Sequence, residues 1–129
     1  MDVKSSFLYG SVEEDVYVSQ PPGFEDPVHR DKVYKLNKAL YGLHQAPPQW
    51  YATSSKYLLE NGFNHGLIDC TLFTKQVDGG LLLVQIYVDE IIFGSTNEEL
   101  CRRFEKIMQD KFEMSSMGEL NFFLGLQVQ

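Results

Sequence analysis

The chain has 129 residues, of which 43% are apolar and 22% charged, ordinary proportions for a globular protein that buries one core. Its formal charge of −7, from 18 acidic and 11 basic residues, argues against tight binding of nucleic acid by the chain alone, because phosphate affinity comes mainly from Lys and Arg. The longest apolar run, Leu81 to Val88, is far shorter than the roughly 20 residues of a membrane helix, and the N-terminus lacks the layout of a signal peptide. We therefore expect a cytoplasmic or nuclear protein that is neither secreted nor inserted into a membrane.

The first half of the chain predicts short strands followed by a helix. β-Branched and aromatic residues bounded by Gly and Pro indicate strands at Val3–Tyr9, Val16–Val18 and Val33–Leu36. Pro48 suits the first turn of a helix, where its missing N–H matters little, and Gly62 suits the position just past the helix end.

The second half predicts a hairpin, a tight turn, a helix and a final strand or two. Asp78-Gly79-Gly80 is a hairpin turn between Thr71–Val77 and Leu81–Val88, and Asp89-Glu90 is a second tight turn before Ile91–Phe93. Thr96 and Glu99 form a capping box for a helix whose apolar face comprises Leu100, Phe104, Ile107, Met108 and Phe112. Strands are also expected within Leu120–Val128. This order of elements is typical of an α+β fold with helices packed on one face of an antiparallel sheet.

Neither the cysteines nor the histidines form a zinc motif. Cys70 and Cys101 stand apart in the sequence, and we interpret both as small buried side chains. His29, His44 and His65 form no H-x-x-x-H pair, which argues against a catalytic zinc.

Two adjacent carboxylates, Asp89 and Glu90, interrupt a run that is otherwise apolar. Charge beside a core is unfavourable unless it is paired or bound to metal, and a divalent cation would also relieve the repulsion between the two acids. Asp2, at the start of another predicted strand, would complete an oxygen-rich site of the kind that Mg²⁺ prefers. The alternative is a solvent-exposed turn that happens to hold Asp-Glu, and sequence spacing alone does not show that Asp2 lies near it.

Six blocks of sequence, in the same order, resemble the reverse transcriptase of copia-type LTR retrotransposons, in the form common in plant genomes. They are MDVKSSFLYG (1–10), VYVSQPPGF (16–24), ALYGLHQAP (39–47), IDCTLF (68–73), IYVDEIIFGS (86–95) and MGELNFFLG (117–125). The resemblance implies a palm-like, ferredoxin-like sheet with two main helices, and a single partial reverse transcriptase domain over residues 1–129, without fingers, thumb or RNase H. The chain would be part of a Pol polyprotein.

The resemblance also implies functional residues. Asp2, Asp89 and Glu90 would be the catalytic and metal-binding carboxylates, and the backbone carbonyl of Val3 a further metal ligand. Two Mg²⁺ ions, with Mn²⁺ as an alternative, would serve nucleotidyl transfer to a primer on an RNA or DNA template. The remaining implied contacts are with the incoming dNTP, through Phe7, Gln45 and Tyr87, and with the primer, through Phe123, Leu124 and Gly125.

The sequence departs from the family pattern at the proposed centre. Glu90 stands where the family has a second Asp, and Pro48 and Gln49 stand where it commonly has Arg-Ala. We therefore expect the isolated chain to be inactive and to bind nucleic acid weakly. Two alternatives remain open at this point: a retrotransposon relic without catalysis, and a small acidic α+β module that binds a divalent metal.

Overall fold

The computed structural model of the protein describes residues 1–12, 14–123 and 125–127. Its helices are α1 (Ala46–Glu60) and α2 (Glu98–Lys111). Its strands are β1 (Asp2–Val3), β2 (Tyr17–Val18), β3 (Tyr34–Lys35), β4 (Asn64–His65), β5 (Leu72–Val77), β6 (Gly80–Tyr87), β7 (Glu90–Ser95), β8 (Met114–Ser115), β9 (Phe122–Phe123) and β10 (Leu126–Gln127). The chain divides into two compact units, one formed by Met1–Ser5 with Ser55–Gln129 and the other by Ser6–Ser54.

The first unit is built on a six-stranded antiparallel sheet with the strand order β4-β5-β6-β7-β1-β8. Consecutive strands β5, β6 and β7 form a meander, and β1 is inserted between β7 and β8. The turn between β5 and β6 has positive φ at both Asp78 (50°) and Gly79 (76°), the conformation that a two-residue hairpin turn of type I′ requires. The α+β class and the antiparallel sheet with two helices are confirmed.

One face of the sheet is buried by aromatic and aliphatic side chains. Residues alternate along β6, so that Leu82, Val84 and Ile86 are buried while their neighbours face outwards. The fully buried ring of Phe104 on α2 lies 4.9 Å from the ring of Phe93 on β7, measured between centroids. The buried residues of α2 are Leu100, Phe104 and Met108, which confirms its predicted apolar face in part; Ile107 is only half-buried.

The ends of the helices follow local chemistry. α1 ends in a Schellman motif, in which Gly62 has a φ of 81° and the Phe63 N–H donates to the Leu58 carbonyl over 3.1 Å. α2 begins at a different cap from the predicted Thr96: the side chain of Asn97 accepts a hydrogen bond from the Glu99 N–H over 2.9 Å. The Thr96 hydroxyl instead accepts a hydrogen bond from the Leu81 N–H over 3.1 Å.

The second unit contains a 3-10 helix (Ser6–Tyr9), a two-stranded sheet of β2 and β3, and the first part of α1. Gly10 lies so close to α1 that an added Cβ would be 2.8 Å from the Cβ of Gln49, which explains the need for glycine.

Several sequence predictions are corrected. The predicted strand Val3–Tyr9 is a strand only as far as Val3, because Ser5 takes a φ of 53° and the chain turns into the 3-10 helix. Cys70 is exposed and Cys101 half-buried, so neither is the small buried residue that we predicted. The final region forms a separate pair, β9 and β10, and the predicted strand end at Val128 lies outside the described residues. Within the described ranges, no helix has the length and apolar character needed to span a membrane.

Candidate functional site

The two-residue turn between β6 and β7 consists of Val88 and Asp89, with Tyr87 and Glu90 directly paired on either side. The prediction that Asp89 and Glu90 form the turn is therefore wrong by one residue, since Glu90 already belongs to β7. Val88 has a φ of 52°, which a β-branched residue rarely adopts. Such backbone strain, on the order of 1–3 kcal/mol, persists where the surrounding structure holds it, and it is concentrated at functional sites.

Replacing Val88 with glycine should raise the free energy of unfolding by about 1 kcal/mol, because glycine removes the strain at positive φ while adding a smaller entropic penalty. The matched control is Asp78→Gly in the other hairpin turn, where φ is 50° but aspartate tolerates the conformation, so that no gain is expected. Urea unfolding of both variants measures the difference. Equal changes in the two variants would contradict strain at Val88.

Strand β1 brings a third carboxylate to the same end of the sheet. Asp2 lies directly opposite Glu90 in the antiparallel register, so the two side chains share one face of the sheet. The Val3 N–H donates to the carbonyl of Asp89 over 2.9 Å, which ties β1 to the turn. The backbone thus places Asp2, Asp89 and Glu90 on neighbouring elements of one sheet, although 88 positions separate Asp2 from Glu90 in the sequence.

The strands bring the backbones of these three residues together, but their side chains are not arranged as a group of metal ligands. Within residues 1–12, 14–123 and 125–127, no group of three or more His, Cys, Asp or Glu side chains is arranged to hold a metal ion. The donor set nevertheless fits a hard divalent cation, because like charges directly opposite each other in a sheet are unfavourable and carboxylate oxygens are the ligands that Mg²⁺ prefers. The fit of these residues to a divalent cation therefore rests on the strand register and on the chemistry of their oxygen atoms.

Removing one of the opposed charges should stabilise the metal-free protein. We expect Asp2→Asn in EDTA to raise the free energy of unfolding by about 0.2–1 kcal/mol, through loss of repulsion from Glu90. Burial lowers the pKa of the Met1 amino group below its usual 8.0, although Glu90, Asp2 and Glu105 oppose this. Its attraction to the acids is therefore largely absent at about pH 8.5, which is the pH for the measurement.

The same variant should respond less to Mg²⁺. Thermal unfolding with and without Mg²⁺ should show a rise in Tm for the original chain and little or none for Asp2→Asn. Asp31→Asn, in an exposed loop, controls for the loss of one negative charge. A lower stability of Asp2→Asn in EDTA would show that Asp2 is held by favourable contacts instead.

Two of the remaining predicted site residues lie beside the turn. The ring of Tyr87, which is 47% exposed, meets the ring of Phe123 edge to face at 5.9 Å between centroids. Gly125 follows with a φ of 79°, and Leu124 lies outside the described residues. The pair of Tyr87 and Phe123 therefore joins the β6–β7 hairpin to the β9–β10 hairpin.

The other two predicted nucleotide contacts belong to the second unit. Phe7 is nearly buried, and its ring lies 4.4 Å from that of Tyr41. Gln45 is exposed, and its amide donates to the Glu14 carboxylate over 3.3 Å.

The sequence reasoning missed strand β8. Its residue Ser115 is the partner of Asp2 on the side away from Glu90, so that β1 is held from both sides. The Lys4 ammonium pairs with the Glu113 carboxylate at 2.7 Å beside the same junction, an exposed contact that adds little stability. A strand of two residues is too short to show an alternating pattern, so the sequence did not predict it. The opposite charges of Lys4 and Glu113 are the signal that could have indicated its pairing with β1.

Comparison with known proteins identifies the family of the chain. The family model for "Reverse transcriptase (RNA-dependent DNA polymerase)" matches residues 1–129. The chain is 38% identical over 129 residues to the retrovirus-related Pol polyprotein from transposon RE1 of Arabidopsis thaliana, covering 100% of the chain and 9% of that protein. It is 32% identical over 129 residues to the corresponding polyprotein from transposon TNT 1-94 of Nicotiana tabacum, covering 99% of the chain and 10% of that protein. No solved structure matches.

The family match along the whole chain defines the class of protein. The chain belongs to the reverse transcriptase family, and it is similar to one segment of retrotransposon Pol polyproteins. It spans about a tenth of the length of these curated relatives.

Proposed function

We propose that residues 1–129 form the palm-like catalytic part of an RNA-directed DNA polymerase that acts within a longer polyprotein. The observation that carries the proposal is the register of Asp2 against Glu90 beside the turn that holds Asp89. These three carboxylates, with the Val3 carbonyl, would hold two Mg²⁺ or Mn²⁺ ions. Ions held there would supply a Lewis acid for an attacking hydroxyl and for a leaving phosphate oxygen.

The contribution of the protein is positioning. Asp2 and Glu90 are presented by paired strands, and the turn with Asp89 is held by the hydrogen bond from the Val3 N–H. Groups carried on rigid strands keep their geometry better than groups on loops, and phosphoryl transfer depends mainly on such positioning and on electrostatics.

Template–primer and dNTPs are the proposed partners. The ring of Tyr87 and its neighbour Phe123 offer an aromatic surface beside the carboxylates for the nucleotide and the primer end. Phe7, whose ring packs against that of Tyr41, is the proposed contact for the sugar of the dNTP. Since the net charge is −7, most of the basic side chains that hold the nucleic acid would come from other parts of the polyprotein.

A second candidate is an inactive descendant of such a polymerase. It is favoured by the absence of a converged three-ligand group among the described residues and by the longer side chain of Glu90.

Primer extension separates the candidates. With an RNA template, Mg²⁺ and four dNTPs, extension by a polyprotein segment containing residues 1–129 would support the polymerase, provided that it depends on Asp89. Absence of extension, with no Mg²⁺-dependent rise in the Tm of the chain, would support the inactive descendant. A rise in Tm without extension would identify a module that binds the metal only.

A further inference from the structure

An aromatic stack in the second unit joins the 3-10 helix to the turn that precedes α1. The ring centroids of Phe7 and Tyr41 lie 4.4 Å apart, with an angle of 39° between the ring planes. Phe7 is 8% exposed, whereas Tyr41 is 54% exposed. Tyr41 is therefore the outer ring of the stack, and it packs against a Phe7 ring that is nearly buried.

A hydrogen bond fixes the far end of the Tyr41 side chain. The Tyr41 hydroxyl lies 3.2 Å from the hydroxyl of Ser6, a residue that is fully buried. A buried hydroxyl without a partner is unfavourable, so this hydrogen bond favours one orientation of the Tyr41 ring. Tyr41 is thus attached to two successive residues of the 3-10 helix, to Ser6 through its hydroxyl and to Phe7 through its ring.

The backbone around Tyr41 is fixed by a turn of its own. The Leu43 N–H donates to the Leu40 carbonyl over 3.2 Å, which closes a turn with Tyr41 and Gly42 at its centre. Gly42 has a φ of 89°, the positive value that a type II turn requires at its third residue. Because neither feature involves the Tyr41 side chain, we expect the turn to tolerate substitution of that side chain.

We propose that Tyr41 is a positioning residue for Phe7, and that it sets the selection of dNTPs over NTPs. The inference rests on the proposed function, in which Phe7 contacts the sugar of the dNTP. An aromatic ring kept against the 2′ position offers no hydrogen-bond partner to a ribose hydroxyl, which would lose its water without compensation. A ring that can move aside avoids this penalty. Selection therefore depends on the contacts that keep Phe7 in place, and Tyr41 and Ser6 provide them.

The test measures addition of a single nucleotide, dATP or ATP, by the polyprotein segment that contains residues 1–129. Tyr41→Leu removes the ring, Tyr41→Phe removes only its hydroxyl, and Ser6→Ala removes the partner of that hydroxyl. Tyr34→Leu is the matched control, because Tyr34 lies in the same unit and is also 54% exposed. The ratio of kcat/KM for dATP to kcat/KM for ATP measures the selection.

We expect Tyr41→Leu to lower this ratio by at least about tenfold, through a higher kcat/KM for ATP. Tyr41→Phe and Ser6→Ala should each lower it by about two- to tenfold, and the double variant by no more than either alone, because both remove the same hydrogen bond. A fall in kcat/KM for both nucleotides at an unchanged ratio would show a purely structural role and overturn the proposal. An equal fall of the ratio in Tyr34→Leu would overturn it as well.

Equilibrium binding of dATP and ATP to the same proteins, with Mg²⁺ and template–primer, separates this proposal from the proposed function. Primer extension whose ratio does not depend on Tyr41 would leave the polymerase standing and overturn the role of Tyr41. Without extension, a binding preference for dATP that Tyr41→Leu abolishes would support the role of Tyr41 and count against the polymerase. Neither extension nor a binding preference would overturn both proposals.

Discussion

Under the proposed function, Asp89→Asn in the polyprotein segment that contains residues 1–129 is expected to reduce primer extension by at least about a thousandfold, roughly 4 kcal/mol of transition-state stabilisation. The substitution preserves the shape of the side chain and removes its charge. The turn should survive, because it is the Asp89 backbone carbonyl that accepts the hydrogen bond from Val3. The measurement is single-turnover extension at saturating Mg²⁺, accompanied by a urea titration, in which we expect a change in stability below about 1 kcal/mol.

The matched control for this experiment is the same substitution in the other hairpin. Asp78 also occupies a two-residue turn of the meander, on the opposite end of β6, and asparagine tolerates its φ of 50°. Asp78→Asn should therefore leave extension unchanged. If Asp89→Asn retained the original rate while Asp78→Asn behaved as expected, Asp89 would have no role as a metal ligand.

The second large effect is an increase in the rate of primer extension. In the same polyprotein segment, Glu90→Asp should increase primer extension on the order of a hundredfold, because a displacement of about 1 Å in a reacting group lowers rates by that factor and one methylene separates the two side chains. Glu90 lies opposite Asp2 on paired strands, so the backbone has little freedom to absorb the added length. The measurement is the rate constant for addition of the first nucleotide, compared between the proteins with Glu and with Asp at position 90.

Glu90→Gln serves as the control, because it keeps the length of the side chain and removes its charge. We expect it to lower extension further. A rate for Glu90→Asp at or below that of the original chain would show that the longer carboxylate is the functional one in this protein. If neither the protein with Glu nor the one with Asp at position 90 extended a primer, the result would support the inactive descendant.

The elements that the sequence predicted well are those whose signals are local. Asp78-Gly79 specifies its own turn through the conformational tolerance of the two residues, and the spacing of Leu100, Phe104 and Met108 specifies the buried face of α2 without reference to any partner. Gly62 likewise marks the end of α1.

The elements that were missed depend on distant partners. The extent of β1 is set by its pairing with β7 and β8, and nothing in residues 1–9 announces that the strand stops at Val3. The position of Glu90 was wrong by one residue because Val88, a residue that normally avoids positive φ, occupies the turn. The metal-binding, nucleotide-binding and primer-binding roles remain predictions.

The insertion of β1 has a consequence for the order of folding. The meander of β5, β6 and β7 joins neighbours in sequence, and its hairpins need only short loops to close. The hydrogen bond between Met1 and Ile91 spans 90 positions, and that between Lys4 and Glu113 spans 109. Closing such long loops carries an entropic penalty that local pairs avoid, so β1 should dock after the meander and α2 have formed. The chain therefore acquires most of its core before Asp2 docks, and the three carboxylates are brought together only at the end of folding.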